Sequence, residues 1–287
     1  MKNSWIQTFR RLAAATVVAG TTMYYSAMCY ANAFDVATNP PYAPTWDAGD
    51  NGGTGFGPWS FNGTDPIPAG TYQGMSSSSP LGTSWTLLTH STSSGLANAG
   101  RSITGGLLPG QTFSTIIENP STYTADQYQG GYRGWDLLFT SGTDNNLPGD
   151  NTSALRAQVF NYFDPAQHWK ISDASGNTTT PLLGPTTAAA GVQVDLTLNS
   201  ATSYSLTMTP LNGATPYSQS GTYAGPITWV DYRLYNGASG GLNDTANNFE
   251  ISRMQITPEP ATFSLLVLGG ASMLGGFVRR KRTQERE

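Results

Sequence analysis

The chain has 287 residues, with 14 Lys+Arg against 18 Asp+Glu and a charged fraction of 11%, less than half of the roughly 25% usual in soluble domains. Its polar surface must therefore come from Ser, Thr, Asn, Gln and Gly, while an aromatic content of 11% argues against a disordered polymer and allows a packed core. A single Cys excludes a disulfide framework, a zinc ribbon and an iron–sulfur centre.

Residues 1–33 have the layout of an export signal. Lys2, Arg10 and Arg11 form a basic end, Leu12 to Gly20 an apolar stretch, and Ala31-Asn32-Ala33 a small-x-small cleavage site with the cut expected after Ala33. Thr21, Thr22, Tyr24 and Tyr25 prolong the run in a way that also suits a retained anchor, and Arg10-Arg11 before Leu12 allows a twin-arginine route as well as the general one. Cys29 falls inside the removed segment, so the mature chain would contain no thiol. What remains up to residue 257 carries six cations against fifteen anions, a net of −9. Nucleic-acid binding, which needs a basic face that releases counterions, is disfavoured.

The first distinctive stretch is the loop from Asp47 to Trp59, rich in Gly. It lacks the glycine spacing of a dinucleotide fingerprint, and Pro58-Trp59 stands where a helix should open. Asp47, Asp50 and Asn51 offer oxygen ligands of the kind that Ca2+ accepts, although Asp-Asn-Gly is equally ordinary turn chemistry. No other cofactor is implied. Trp46 and Trp59 flank this loop and are the expected ligand surface, because exposed indole faces stack on sugar rings; core packing is the competing reading for each tryptophan. Asp144 to Asn151 raises the same calcium question.

No long helical period follows. Alternating runs recur between Gly, Asn, Ser and Pro clusters and predict strands at 83–89, 112–117, 135–140, 155–163, 167–172, 227–235 and 249–256. Val192, Val194, Leu196 and Leu198 alternate with Gln193, Asp195 and Thr197, and Tyr204, Leu206 and Met208 with Ser205, Thr207 and Thr209. Asn199 to Thr202 would join these two runs as an antiparallel hairpin, and the slip at Arg253-Met254 suggests a bulge. Nine or more short strands over residues 34–257 predict one all-β sandwich rather than two domains. The order of hairpin, Gly/Pro turn, Asp231-Tyr232-Arg233-Leu234-Tyr235 strand and Asn247-Asn248-Phe249-Glu250 is similar to concanavalin-like jelly rolls, without a diagnostic motif.

Catalytic signals are poor. Glycoside hydrolysis needs two carboxyl groups across a bond; Glu118 and Glu250 are the only glutamates of 34–257, and no local pair shares a strand face. The Gly-x-Ser-x-Gly elbow is missing, and His90 and His168 are the only histidines. The expectation is a protein that is not an enzyme.

The C-terminus repeats the membrane logic. Pro258-Glu259-Pro260 forces extended backbone, Ala261 to Val278 runs 18 residues without a charge, and Arg279-Arg280-Lys281-Arg282 follows. The basic cluster predicts a cytoplasmic end for this span, with the preceding domain outside. Residues 258–287 resemble the PEP-CTERM sorting signal. That resemblance implies an exosortase as processing partner: a multi-spanning membrane enzyme with a catalytic cysteine that reads the tripeptide and removes the tail. It also implies an origin among bacteria that make exopolysaccharide. The expectation is an exported protein, anchored in the inner membrane before processing and then in the envelope, at the cell surface or outside the cell. Its role would be structural or carbohydrate-binding, with a lectin-fold glycoside hydrolase or lyase as the alternative.

Overall fold

The computed structural model describes residues 33–61, 72–79, 82–89, 95–118, 133–142, 155–162, 168–183, 189–236 and 247–258. The expected signal segment before Ala33, the calcium candidate at 144–151, His90, Glu259, Pro260 and everything beyond lie outside them. Among the described residues no helix is long and apolar enough to cross a membrane; the expected span 261–278 lies outside them.

The described chain is an all-β antiparallel sandwich of two sheets. Its strands are β1 (Ala33–Val36), β2 (Ser60–Phe61), β3 (Tyr72–Ser79), β4 (Gly82–Thr89), β5 (Gly95–Leu107), β6 (Gln111–Glu118), β7 (Arg133–Thr140), β8 (Leu155–Tyr162), β9 (His168–Asp173), β10 (Gly176–Leu183), β11 (Val192–Leu198), β12 (Ser203–Pro210), β13 (Tyr217–Thr222), β14 (Ile227–Asn236) and β15 (Asn247–Pro258). One sheet runs β13-β12-β11-β6-β15-β4-β3, with β1 also paired to β15; the other runs β10-β9-β8-β7-β14-β5-β2.

Alternation explains which face each strand buries. In β11 and β12 every second residue is buried, so Val192, Val194, Leu196, Leu198, Tyr204, Leu206 and Met208 enter the core while Gln193, Asp195, Thr197, Ser205 and Thr207 face outward. The hairpin between them closes as expected, Asn199 N donating to Ser203 O at 2.9 Å. From the opposite sheet Trp135, Leu137, Phe139, Val230, Tyr232 and Leu234 meet the same core. The Tyr232 hydroxyl reaches across the sandwich to Thr115 Oγ1, 2.9 Å away, so it is buried but hydrogen-bonded.

The β15 register shifts between Ile251 and Arg253, so the bulge sits at Ser252, just before the Arg253-Met254 slip; the extra residue returns Met254 and Ile256 to the core. Ala33, behind which the signal cut is expected, is the buried first residue of β1 and pairs with Ile256. At the other end Pro258, the first residue of the expected tripeptide, closes β15 opposite Gln111.

Candidate functional site

The Asp47–Trp59 loop is fastened to the core instead of presenting a ligand surface. Arg101 on β5 and Asp35 on β1 are both fully buried and form an ion pair of 2.5 Å. Asp35 also accepts from Val36 N (2.9 Å), Asn39 Nδ2 (2.8 Å) and the Tyr42 hydroxyl. The Arg101 guanidinium donates further to Asn51 Oδ1 at 2.7 Å and to Gly57 O at 2.9 Å, and lies 4.8 Å from the Trp59 ring and 5.1 Å from the Phe56 ring. Four accepted hydrogen bonds offset the cost of burying the carboxylate. The loop backbone closes on itself through Trp59 N to Asp50 O and Gly49 N to Trp59 O, each 2.9 Å.

Trp46 and Trp59 are therefore not a ligand surface: they are 1% and 2% exposed. They pack edge-to-face at 4.8 Å, and Trp59 packs on Trp85 at 5.2 Å. The physical reason is close approach. A Cβ at Gly53 would lie 2.3 Å from Phe34 O, so glycine lets the loop lie flat on β1 and drive its tryptophans inward. Trp85, Trp135 and Trp169 are buried as well, leaving Trp229 half-buried with its Nε1 donating to Asp231 Oδ1 at 2.9 Å.

The oxygens offered for calcium here are spent on the loop itself. Asp47 accepts from Thr45 Oγ1 (2.6 Å), Asp50 from Asp47 N (2.8 Å), and Asn51 Oδ1 is held by Arg101, a cation that a metal ion would have to approach. Among the described residues no group of three or more His, Cys, Asp or Glu side chains converges.

On the outer face of the seven-stranded sheet a polar layer joins four strands. Arg233 on β14 stands opposite Asp136 on β7 and Asn98 on β5. Gln158 Nε2 and the Tyr235 hydroxyl both donate to Asp136 Oδ2, at 2.9 and 3.0 Å. None of Asn98, Asp136, Gln158, Asp231, Arg233 and Tyr235 is more than 7% exposed. Burial pulls the Arg233 guanidinium down, but Asp136, Tyr235 and Asp231 more than reverse this and hold it above its ordinary range. The charges of this buried layer face one another.

Among the described residues, a partly accessible polar surface lies on the other sheet, where polar side chains line up across five adjacent strands, with Ser114 buried among them. The register sets Thr257, Thr112, Thr197, Ser205 and Ser220 in one row, and Gln255, Ser114, Asp195, Thr207 and Ser218 in the next. At about 4.8 Å per strand a row is about 19 Å long, and the rows lie about 6.8 Å apart. Thr112 and Thr197 hydroxyls meet at 2.7 Å, Thr207 and Ser218 at 3.0 Å, Ser205 and Ser220 at 3.5 Å. Each pair uses one O–H proton between its members and leaves the other for an external acceptor, with lone pairs to spare. Exposure rises toward β13, where Ser218, Ser220 and Thr222 are open. Asp195 is the one charge in these rows, and it is relayed through the adjoining row: Arg253 Nη2 donates to Gln193 Oε1 (2.9 Å), and Gln193 Nε2 to both Asp195 oxygens (3.0 and 2.9 Å).

Strand alternation marks Asp195, Thr197, Ser205 and Thr207 as outward-facing in the sequence. The rows themselves depend on β6 and β13 lying beside them, which only register reveals. Register also produces a pairing that local motif reading misses: Glu118 on β6 stands directly opposite Glu250 on β15. They are 1% and 2% exposed. Of the two histidines, His168 opens β9 half-buried, well separated in sequence from these glutamates.

No protein-family model matches the chain, and no curated protein matches it. Solved structures with a similar chain path include the exoplasmic/lumenal domain of VIP36 in its Ca2+-bound form, at 10% identity, covering 70% of this chain and 83% of that one with a TM-score of 0.40. Lectin II from Ulex europaeus is 10% identical, covers 75% of this chain and 96% of its own, and gives a TM-score of 0.40. The GlcNAcα1-4Gal-releasing endo-β-galactosidase from Clostridium perfringens is 11% identical, with 69% and 58% covered and a TM-score of 0.41.

Proposed function

We propose that this is an exported protein of the cell envelope or extracellular matrix whose concanavalin-like sandwich is a non-catalytic module that lies against neutral exopolysaccharide. The observation that carries the reading is the pair of hydroxyl-lined rows on the outer face of β15-β6-β11-β12-β13. A polyhydroxylated polymer needs donors and acceptors in equal supply and no net field, and hydroxyl pairs with a neutralised Arg253–Gln193–Asp195 relay provide both. The tail belongs to the same reading. Sorting by an exosortase through Pro258-Glu259-Pro260, a membrane span over 261–278 and the basic cluster 279–282 would hold the folded sandwich at the outer membrane face until processing. Pro258 follows Thr257, the first hydroxyl of its row, so β15 ends beside the proposed contact face.

Screening the purified protein on a glycan array tests this reading. Neutral glycans should retain the wild type, and a Thr197→Val/Ser205→Ala/Thr207→Val variant should lose most of that binding while keeping its unfolding midpoint. Equal binding by both proteins would remove the hydroxyl face from the account. The sorting half is tested separately by Glu259→Ala, which should leave unprocessed protein in cells that contain the enzyme.

One observation favours an enzyme instead: the register sets Glu118 directly opposite Glu250, and glycoside hydrolysis uses a pair of carboxyl groups. Burial of both carboxyls to 2% or less leaves no room for a pyranose ring between them, so the binding reading is preferred. Release of reducing ends from a polysaccharide by wild type but not by Glu250→Gln would reverse that preference.

A further inference from the structure

β15 ends at Pro258, and the uncharged apolar run begins three residues later at Ala261. Three residues reach at most about 11 Å even when fully extended. A membrane span over 261–278 would therefore hold this end of the larger sheet close to the bilayer surface. β1 starts at the same end, with Ala33 opposite Ile256.

Backbone hydrogen bonds gather several turns at that end. Pro258 stands opposite Gln111, whose N closes the 108–111 turn on Leu108 O at 3.0 Å. Gly110 N donates to Leu198 O at the 199–202 hairpin (2.7 Å), Tyr223 N to Thr202 O (3.0 Å) and Ala174 N to Thr222 O (3.3 Å). Leu107 opposite Ile227 brings in the segment 224–226. The residues 108–110, 174–176, 199–202 and 224–226 include no Asp, Glu, Lys or Arg, and all but Gly110 are exposed. Asp173, just before one of these turns, is half-buried and accepts from the Tyr204 hydroxyl (2.7 Å), Ser175 N (2.7 Å) and Thr222 N (3.3 Å). Among the described residues three large apolar side chains are exposed. Leu108, at 54%, tips the turn beside Pro258, and Phe34, at 46%, stands on β1 opposite Gln255. Leu211 lies at the far end of β12, its N donating to Gly191 O.

We propose that this end of the sandwich, led by the Leu108-Pro109 turn, is a lipid-contact surface that rests on the outer leaflet while the tail is in place. The inference depends on the membrane-span reading given above and adds which part of the folded domain meets the bilayer. Residues 34–257 carry a net charge of −9, so an anionic leaflet repels the domain as a whole, and an uncharged end is the one that can approach it. Leu108 and Pro109 enter the headgroup region, and the Asn, Ser and Thr of the neighbouring hairpin stay hydrated. One leucine binds a free protein to lipid only marginally. The tether supplies the high local concentration that makes so small a contact effective, and removal of the tail releases it. With the strands end-on to the membrane, the polar rows that cross them run along the bilayer plane, and β13 remains open to polymer.

The test uses the full-length protein in vesicles of phosphatidylethanolamine and phosphatidylglycerol. In a Cys29→Ser background, an environment-sensitive dye on Leu108→Cys should shift to the blue and lose most of its intensity to nitroxide-labelled lipid, whereas the same dye on Leu211→Cys should do neither. Without a dye, amides of the 199–202 hairpin should exchange more slowly in wild-type vesicles than in vesicles of Leu108→Asp, a change in an exposed turn outside that hairpin. Flotation with the vesicles separates the two levels of the reading. Protein that does not float refutes the membrane span and the contact with it. Protein that floats with the dye at 108 unquenched, with equal quenching at 108 and 211, or with hairpin exchange unaffected by Leu108→Asp would overturn the lipid contact alone.

Discussion

Replacing Arg101 by methionine removes the charge while keeping most of the apolar stem, and it attacks the element that turns a glycine-rich loop into core. The substitution deletes the 2.5 Å ion pair with Asp35, the hydrogen bonds to Asn51 and Gly57, and the stacking on Trp59 at 4.8 Å. Asp35 keeps its three other donors but becomes an uncompensated buried charge, and breaking a buried pair in this way costs about 3–5 kcal/mol. The cation–π contact contributes about 1–2 kcal/mol of that range. Urea unfolding followed by tryptophan fluorescence reads both the stability and the loop, since Trp46 and Trp59 sit beneath it. Adding Asp35→Asn to the Arg101 variant should restore part of the loss, with a coupling of about 2 kcal/mol. A loss under about 1 kcal/mol for the single variant, or full additivity in the double, would refute the claim that this pair holds the loop in the core.

The same geometry fixes other outcomes. Trp46→Ala and Trp59→Ala should each cost about 3–5 kcal/mol of unfolding free energy and leave glycan affinity unchanged in the protein that still folds; a loss of affinity at constant stability would restore them as a ligand surface. Burial and the hydrogen bond to Asp35 push the Tyr42 hydroxyl from 10.0 up to about 12. The folded state therefore holds this proton more tightly than the unfolded one, and the associated stability is present below about pH 10 and lost as pH rises to about 12, about 3 kcal/mol from Tyr42 alone. Urea titrations at pH values across that window should show the decline, and a flat profile would contradict it. Gly100→Ala should destabilise by about 1–3 kcal/mol, because its Cβ would fall 2.0 Å from Asp231 Oδ1 and 2.5 Å from Trp229 Nε1; an unchanged unfolding midpoint would mean that the polar layer on β14 yields easily.

Legibility in the sequence followed side-chain contrast. β11 and β12 alternate strictly between apolar and polar residues, and both their hairpin and their outward face can be read directly. β3, with Ser76 to Ser79, and β13, Tyr-Ser-Gln-Ser-Gly-Thr, carry little apolar signal, because the backbone ladder and hydroxyl contacts define them. β5 is obscured by Gly95, Gly100, Gly105 and Gly106; at Gly100 the missing side chain makes room for Asp231. The tryptophans at 46 and 59 were misleading for the same reason: glycine suggests an open loop, yet here it permits close packing on β1. Glu118 and Glu250 lie far apart in the chain, and no spacing rule connects them; strand order and register do.

The most direct measurement of the central claim is amide hydrogen exchange of the purified protein with and without a neutral polysaccharide that it retains. The account predicts added protection in peptides spanning β11, β12 and β13, greatest at the exposed edge residues Ser218 to Thr222. Protection confined to the β14-β7-β8 face, or to the Asp47–Trp59 loop, would contradict it.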